Sequence, residues 1–362
     1  MRLLIDGLYL TNQHLRGVGR YSQTLCDVIY RYNIGDLFVL VSTVKPRKIR
    51  LVRNNLAGIN FKIIAVPIPG RFFKFLARRL DIYSIIKSIY RIDLIHVPYE
   101  TYYKTKTNNF MTVHGMEPFQ NPSNQQFYRD FRNNLKRSVS YVSNYISVSK
   151  FVKNEMQKYL FLEENKIHEI PISVDDHFFA LFSKTSPRDL KLLYFGGFED
   201  NKNLINLINV LDDLRENTLI PIKLKIIGDD KWHADRVKNK FNRDYIEKVG
   251  YLDKKELATE IVRSSCVIIP SRYEGYSLPL IESLSLQTPV LVSKHAGALE
   301  YVKGGYISFL PDSHEDICRA ILEFYRNKKR LAKEAAEESK RLKENLNYYE
   351  MAQLLKKAYF HS

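Results

Sequence analysis

The sequence contains few cysteines, no long hydrophobic run and no Asp-x-Asp motif. Its three cysteines, among 362 residues, are too scattered for a disulfide framework or a zinc site, which indicates a reducing cytoplasm. Without eighteen consecutive apolar residues, no segment is expected to span a membrane, and the first ten residues lack the apolar core of a signal peptide. No His, Asp and Glu cluster has metal-ligand spacing, so we predict that no metal or other cofactor is bound.

Acidic residues are scarce between residues 45 and 91. Asp81 is the only acid there beside twelve lysines and arginines, so this stretch carries +11 of the net charge of +16. Large apolar residues are interleaved with the cations, which suits an interfacial helix on an anionic membrane, contacted through Arg71, Lys74, Arg78 and Arg79. An ordinary core helix with solvated lysines remains open. Nucleic acid would attract the same charge, but no nucleic-acid motif accompanies it, so we expect no nucleic acid as partner.

Strand-like and helix-like segments alternate along the first half, which indicates a parallel, doubly wound sheet. Predicted strands cover Leu3–Ile5, Leu37–Val41, Phe61–Val66, Leu94–Val97, Phe110–Val113, Tyr145–Val148 and Ile167–Ile170, with helices through Leu25–Ile29, the basic region, Arg129–Val142 and Lys150–Tyr159. The stretch from Pro171 to Pro187 is less regular and marks a hinge.

The pattern then restarts. Predicted strands cover Leu190–Phe195, Ile222–Ile227, Ile246–Val249, Val267–Ile269, Val290–Val292 and Gly305–Phe309, with helices at Asn203–Leu214, Arg236–Phe241, Lys255–Ser264, from Ser277 to Thr288, from Ala298, at Glu315–Tyr325 and from Lys328. We therefore predict two Rossmann-like α/β domains that face each other across a cleft. The first covers 1–178 and the second covers 179–345, and a C-terminal helix over 346–362 is expected to pack back on the first.

One stretch, Val267–Val292, combines two acids with a helix start. Glu274 lies before a helix that begins near Ser277, and Glu282 lies about one turn inside it. First-turn acids often only stabilise the helix dipole. Here, however, the acids share the carboxyl end of a strand with an anion-binding helix N-terminus, where α/β sheets bind ligands.

The spacing of these acids, Glu then seven residues then Glu, has Pro-Ser before it and Gln-Thr-Pro-Val after it. The stretch closely resembles the signature of retaining glycosyltransferases of family 4. The resemblance implies the two-domain B-type fold and a hexosyltransferase that uses a nucleotide-diphosphate sugar. It also implies that Glu274 holds a sugar hydroxyl as the anomeric carbon becomes cationic, and that Glu282 accepts hydrogen bonds from the ribose.

Two segments of the first half resemble the same family. Gly17 and Gly19 lie in a loop, Arg16–Tyr21, that resembles the Gly-Ile-Gly-Arg-Tyr segment near the donor sugar, although a lone Gly-x-Gly is also typical of a plain turn. Ser22 stands where the dinucleotide pattern needs its last glycine, which excludes NAD. His114 ends a strand, as does the family histidine that faces the reacting sugar, although a strand-end histidine is often purely structural.

Three segments of the second half complete the predicted donor site. Gly196 opens a tight turn that ends at Lys202, which we expect to neutralise the diphosphate, with Asn201 in place of the usual first basic residue. The turn with Tyr251 and Leu252 resembles the base-binding turn of the family. The N–H groups of residues 276 to 278 (Tyr276, Ser277 and Leu278) would bind the departing diphosphate in place of a metal.

These features predict a metal-independent retaining glycosyltransferase whose donor is a nucleotide sugar. The acceptor is expected to be a lipid-linked saccharide at the cytoplasmic face of the plasma membrane, as for the mannosyl- and rhamnosyltransferases of bacterial O-antigen or surface polysaccharide synthesis. Two other classes stay open, which are a nucleotide-sugar epimerase on the same fold and a non-catalytic nucleotide-sugar-binding subunit.

Overall fold

The chain folds into two α/β units, each with one parallel sheet. The structure is a computed structural model that describes residues 1–120, 125–179, 190–228 and 243–361, without the side chains of residues 176 and 177. The first unit comprises Met1–Ser173 and Tyr348–Ser362, and the second comprises Val174–Asn347. The predicted domain limits at 178 and 345 stay predictions.

The first unit contains a seven-stranded sheet in the order β3-β2-β1-β4-β5-β6-β7. Its strands are β1 Arg2–Asp6, β2 Asp36–Ser42, β3 Lys62–Val66, β4 Leu94–Val97, β5 Asn109–Val113, β6 Asn144–Ser147 and β7 Ile167–Glu169. Its α-helices are Gly17–Arg31, Pro46–Asn55, Gly70–Ala77, Ile82–Tyr90, Glu117–Gln120, Gln126–Ser138, Lys150–Leu160 and Tyr348–His361. All strand pairs are parallel, with Leu4 opposite Phe38 and Ile95 in neighbouring strands.

The second unit contains a six-stranded parallel sheet in the order β10-β9-β8-β11-β12-β13. Its strands are β8 Leu190–Phe195, β9 Ile222–Ile227, β10 Ile246–Val249, β11 Cys266–Ile269, β12 Val290–Ser293 and β13 Tyr306–Phe309. Its α-helices are Leu204–Asn217, Lys254–Arg263, Leu278–Ser285 and His314–Asn345.

The continuous apolar strands explain why both sheets lie inside their units. Leu3, Leu4 and Ile5 are fully buried in β1, and all four residues of β11 are buried. Parallel strands with helices on both faces are apolar throughout instead of alternating. The predicted class of two doubly wound α/β units is confirmed.

Two predicted helices differ from the structure, and a third lies outside the described residues. The helix from Ser277 ends at Ser285 rather than at Thr288, because Gln287 adopts a left-handed backbone conformation with φ of 58°. The helix expected from Ala298 is a short 3-10 helix, Gly297–Tyr301. The helix predicted at Arg236–Phe241 lies outside the described residues.

Candidate active site

The first candidate site lies where the strand order of the second unit reverses. β8 and β11 are neighbours in the sheet, although the chain forms β9 and β10 between them. The crevice at the carboxyl ends of two such strands is the usual ligand site of an open α/β sheet. Lys202 belongs to the turn that follows β8, and Glu274 belongs to the loop that follows β11. The topology therefore brings these two predicted residues together.

Lys202 and Glu274 form a direct ion pair. Lys202 Nζ lies 2.8 Å from Glu274 Oε1, and the same oxygen accepts a hydrogen bond of 2.7 Å from Ser271 Oγ. The side chains are 25% and 16% exposed, so the pair is partly shielded from water. The ion pair with Lys202 and the hydrogen bond from Ser271 together fix the position of Glu274 Oε1.

Backbone hydrogen bonds hold Glu274 at a fixed position. Its N–H donates to the carbonyl of His295 at 3.0 Å, and its carbonyl accepts from the N–H of Gly297 at 2.9 Å. These bonds form an isolated parallel bridge between Glu274 and Ala296. The loop after β11 is thus joined to the loop after β12, and the carboxylate is carried on a rigid support.

Arg272 is a positioning residue that the sequence analysis missed. Its guanidinium lies 2.6 Å from Asp312 Oδ1 and donates to the carbonyl of Asp200 at 2.7 Å, while its backbone N–H donates to the carbonyl of Asn201 at 2.7 Å. Arg272 therefore ties the turn that carries Lys202 to the loop that carries Glu274. The only signal in the sequence was a cation two residues before the first glutamate.

Two helices begin beside the ion pair with their N-caps unused. Neither Ser277, before Leu278–Ser285, nor Asn203, before Leu204–Asn217, accepts a side-chain capping hydrogen bond. Helix starts carry N–H groups without intrahelical acceptors and a partial positive charge. N–H groups at such a helix start favour an anion, and the binding of a diphosphate by Tyr276, Ser277 and Leu278 stays a prediction.

Ser277 adopts an unusual conformation at this helix start. Its φ is 95°, in the region that favours glycine, and its hydroxyl is buried without a hydrogen-bond partner. The residue is 2% exposed. Glu282 lies in the same helix and is also buried, at 1% exposure. Tyr276 is buried too, which raises its pKa well above the ordinary value.

The remaining predicted donor residues lie at the same edge of the sheet. Gly196 directly follows β8 with φ of 156°, which disfavours any side chain there. Tyr251 and Leu252 follow β10, and Tyr251 is exposed. β10 is three strands from β11, or about 14 Å at ~4.8 Å per strand. Together these residues outline an extended binding edge.

His114 lies at the carboxyl end of β5 in the first unit. Its Nε2 donates to the carbonyl of Pro98 at 3.0 Å, and its backbone N–H donates to Glu100 Oε1. Because a carbonyl only accepts, Nε2 of His114 carries a proton in this contact. The Tyr21 ring packs edge-on against the imidazole at 4.8 Å between centroids.

The glycine segment of the first unit differs from the prediction. Gly17 and Gly19 lie in the first turn of the helix Gly17–Arg31 and not in a loop before it, because the extended Arg16 is the N-cap. Neither glycine has a positive φ. A Cβ at Gly19 would lie 3.1 Å from Leu15 Cδ2, whereas one at Gly17 would meet nothing within 4 Å. Close packing against Leu15 explains the glycine at position 19. The space around Gly17 is open, so packing does not explain the glycine there.

The four predicted surface cations lie on or just after the helix Gly70–Ala77 and are not equivalent. Arg71, Arg78 and Arg79 are exposed, and Lys74 is half-buried. Lys74 Nζ lies 5.5 Å from the centroid of the Tyr99 ring, and the Arg79 guanidinium lies 3.8 Å from that of Phe75. Lys74 therefore faces the protein, whereas the arginines face solvent.

The described residues contain neither a cluster of metal-ligating side chains nor a membrane-spanning helix. No group of three or more His, Cys, Asp or Glu side chains there is arranged to hold a metal ion. No helix in the described ranges is long and apolar enough to cross a membrane. Metal independence stays a prediction.

Two protein-family models match almost the entire chain. The model described as Glycosyltransferase Family 4 matches residues 16–178, and the model described as Glycosyl transferases group 1 matches residues 179–345.

Curated relatives agree with these matches. An uncharacterised glycosyltransferase of Methanocaldococcus jannaschii is 25% identical over 79% of this chain and 81% of its own length. The O-antigen chain mannosyltransferase RfbU of Salmonella typhimurium is 26% identical over 59% of this chain and 60% of its own length.

Solved structures show the same fold at low sequence identity. Sucrose-phosphate synthase from Thermosynechococcus elongatus superposes with a TM-score of 0.80 at 14% identity, covering 100% of this chain and 98% of that one. Anabaena HepE in complex with UDP-glucose gives 0.74 at 14% identity and covers 100% of both chains. The chain therefore belongs to glycosyltransferase family 4 and has the GT-B fold.

Proposed function

We propose that the protein transfers a hexosyl group, with retention of anomeric configuration and without a metal, from a nucleotide-diphosphate sugar to a saccharide acceptor. The observation that carries this proposal is the Lys202–Glu274 ion pair at the strand reversal of the second unit, beside two uncapped helix starts. Such a site offers positive charge for a diphosphate and a carboxylate for sugar hydroxyls.

The donor would lie along the carboxyl edge of the second sheet. Tyr251 and Leu252 would meet the base, Glu282 the ribose hydroxyls, and Lys202 with the helix start at Leu278 the diphosphate. The separation of about 14 Å between the ends of β10 and β11 suits a ligand made of base, ribose, diphosphate and sugar. The complex of HepE with UDP-glucose supports a nucleotide sugar as donor class.

In the transfer step, the bond between the anomeric carbon and the diphosphate oxygen breaks, and its electron pair stays on that oxygen. Lys202 and the helix N–H groups stabilise the charge that develops there. The acceptor hydroxyl attacks on the same face and passes its proton to the departing diphosphate. Glu274 holds a sugar hydroxyl and stabilises the cationic character of the anomeric carbon.

Two carboxylate substitutions test the proposal. Glu274→Gln should reduce transfer at least 100-fold, the scale of losing one charge-stabilising group, while nucleotide binding persists in thermal-shift assays. Glu282→Ala should weaken nucleotide binding first. Glu337→Gln, an exposed carboxylate on the long helix, is the matched control and should change neither.

The assay also separates the alternative functions. Conversion of a nucleotide sugar without any acceptor would identify an epimerase, and binding without turnover of mannose, rhamnose, glucose or galactose donors would identify a non-catalytic subunit. Full activity of Glu274→Gln would refute the assigned role of this carboxylate.

The acceptor is proposed to be lipid-linked and the protein to lie on an anionic membrane surface. Exposed apolar and basic side chains share the helices Gly70–Ala77 and Ile82–Tyr90 and the turn between them, with Ile89 as much as 67% exposed; the apolar ones are Phe72, Phe75, Leu80, Ile85 and Ile89. Large apolar patches beside cations suit the headgroup region of a bilayer. The O-antigen mannosyltransferase among the relatives supports a polysaccharide acceptor.

Flotation with phosphatidylglycerol vesicles tests this surface. The wild-type protein should float, and the Arg71→Gln, Arg79→Gln, Phe75→Ser triple variant should not. If the triple variant floats as well as wild type, or if phosphatidylcholine vesicles capture the protein equally, the proposed surface is wrong.

A further inference from the structure

The strand order of the first unit also reverses, between β1 and β4, and two cations lie near this second crevice. The helix Gly70–Ala77 starts beside it, at the carboxyl ends of β1 and β2, since a Cβ on Gly70 would lie 3.6 Å from the carbonyl of Ser42 and 3.9 Å from Leu8 Cδ1. Lys74 lies one turn further and faces Tyr99, which follows β4. The Arg78 N–H donates to the Lys74 carbonyl at 3.2 Å, so the two cations lie on one helix face.

Neither cation has a hydrogen-bond or ion-pair partner within the described ranges 1–120, 125–179, 190–228 and 243–361. The buried Asp6 attracts Lys74 through space, but its carboxylate already accepts from the Tyr83 hydroxyl at 2.7 Å and the Leu8 N–H at 2.9 Å. Glu100 accepts from the His114 N–H. Asp6, the acid that attracts Lys74, is thus engaged by other donors, and so is Glu100, which follows Tyr99 in the chain.

Two adjacent cations without partners are unfavourable for the protein alone. Like charges four residues apart on a helix repel each other. Burial and the charge of Arg78 both disfavour the ammonium form and lower the pKa of Lys74. By contrast, Lys202 in the second unit is paired with Glu274. An anion that bridges Lys74 and Arg78 would offset both costs.

We infer that Lys74 and Arg78 form an anion subsite, in the first unit, for a phosphate or diphosphate group carried by the acceptor. This inference rests on the proposed function, since it assigns an acceptor chemistry to that enzyme. A lipid diphosphate and an anionic lipid headgroup share this chemistry. The position of Lys74, half-buried over Tyr99 at the strand reversal, favours the acceptor over the membrane surface.

Calorimetric titration of the full-length protein with citronellyl diphosphate tests the subsite. Lys74→Gln and Arg78→Gln should each weaken binding about tenfold, the scale of one hydrogen bond to a charged group. Arg53→Gln, which removes an exposed cation of the helix Pro46–Asn55, is the matched control and should stay within twofold. Lys74→Arg should restore most of the affinity. Because Arg78 is exposed, its variant keeps the test valid even if Lys74→Gln misfolds.

Two further arms separate the sources of the anion. Lys202→Gln removes the competing diphosphate site of the second unit and should leave the Lys74-dependent binding in place. If binding vanishes in Lys202→Gln but persists in Lys74→Gln, the ligand uses only the donor site and the inference is wrong. It is equally wrong if the Lys74 and Arg78 variants lose phosphatidylglycerol flotation while they keep citronellyl diphosphate affinity.

The titration needs no turnover, so its result is independent of the transfer assay. If Lys74→Gln and Arg78→Gln leave diphosphate affinity unchanged while transfer still depends on Glu274, only this inference is wrong. Diphosphate binding at Lys74 without any transfer activity would leave the subsite and remove the proposed enzyme.

Discussion

The two units share the order of six strands, to which the first unit adds a seventh, but they differ in the charges at their strand reversals. In the second unit, Lys202 and Glu274 neutralise each other at 2.8 Å. In the first unit, Asp6 and Glu100 are held by hydroxyl and N–H donors, and Lys74 lacks an acceptor in the described part of the chain. The comparison indicates that the second unit preassembles an electrostatic site, whereas the first leaves cations for a ligand.

The units also differ in the side chains that fill their interiors. The second unit encloses an apolar cluster, from Leu192 and Ile226 through Phe309 to Phe324, and its buried polar groups include Ser339, whose Oγ donates to the Ser285 carbonyl at 2.7 Å. The first unit buries a chain of polar groups, in which the Tyr21 hydroxyl, Thr112 Oγ1, His96 and the Tyr359 hydroxyl are joined at 2.9, 2.7 and 2.6 Å. Tyr359 lies on the C-terminal helix, so the first unit depends on residues from the far end of the chain.

The largest expected effect is on the kcat of a variant that breaks the Lys202–Glu274 ion pair of the second unit. Lys202→Gln should lower kcat about 100- to 1000-fold, because the departing diphosphate loses its side-chain cation. Initial-rate kinetics with a saturating donor measure the change, and Lys191→Gln, an exposed lysine of β8, is the control. A Lys202→Gln variant with more than half of the wild-type kcat would contradict the role given to the ion pair.

The next effect concerns the closing helix of the first unit. Leu355 is fully buried in the helix Tyr348–His361, which packs against Gly17–Arg31, whereas its neighbour Leu354 is 36% exposed. Leu355→Ala should lower the free energy of unfolding by about 3 kcal/mol because it leaves a cavity. Leu354→Ala should change it by less than about 0.5 kcal/mol.

Urea unfolding measures both values. Equal effects of the two leucine substitutions would show that the helix Tyr348–His361 does not pack through its buried face. The first unit would then not depend on the far end of the chain.

The second unit was more predictable from the sequence than the first. β11 and most of β12 are continuous apolar runs, and β8, β9 and β10 have the predicted limits. Its site residues follow strand ends directly, and the spacing of Glu274 and Glu282 is a local pattern. What stayed hidden was Arg272, because its contacts with Asp200 and Asp312 join segments distant in sequence.

In the first unit, periodicity located the strands but not the site. The limits of the helix Gly17–Arg31 depend on the backbone of Arg16, which no side-chain pattern reveals. The split between Lys74 and the exposed arginines depends on Tyr99, which is contributed by a different strand end. Long-range packing, rather than local propensity, decides both features.

The buried polar chain of the first unit predicts a pH effect on its stability through His96. Burial lowers the pKa of His96 to about 3, against an ordinary value of 6.5. Below pH 6.5 the unfolded chain binds a proton at this residue and the folded chain does not, so stability falls as pH falls. Between pH 7 and pH 5 the loss from His96 should be about 2 kcal/mol.

Urea unfolding at several pH values, compared with His96→Asn, isolates this contribution. The variant should be less stable at pH 7, because the hydrogen bonds to Thr112 and Tyr359 change, but should lose about 2 kcal/mol less between pH 7 and pH 5. If the free energy of unfolding falls equally with pH in both proteins, His96 is not the titrating group. His168, whose pKa burial also lowers, titrates in both proteins and cancels in the difference.

The smallest effect concerns strain at the preassembled site. Ser277 combines a φ of 95° with a buried hydroxyl that has no partner, and its side chain does not cap the helix that follows. Ser277→Gly should therefore raise the free energy of unfolding by about 1 kcal/mol, since relief of the backbone strain and of the buried hydroxyl exceeds the entropy that glycine adds to the unfolded chain. Ser277→Ala, which removes the hydroxyl but keeps the strain, should gain less. If alanine gains as much as glycine, the buried hydroxyl and not the backbone is the costly element, and the second unit then differs from the first, whose buried Tyr21, Thr112, His96 and Tyr359 satisfy one another.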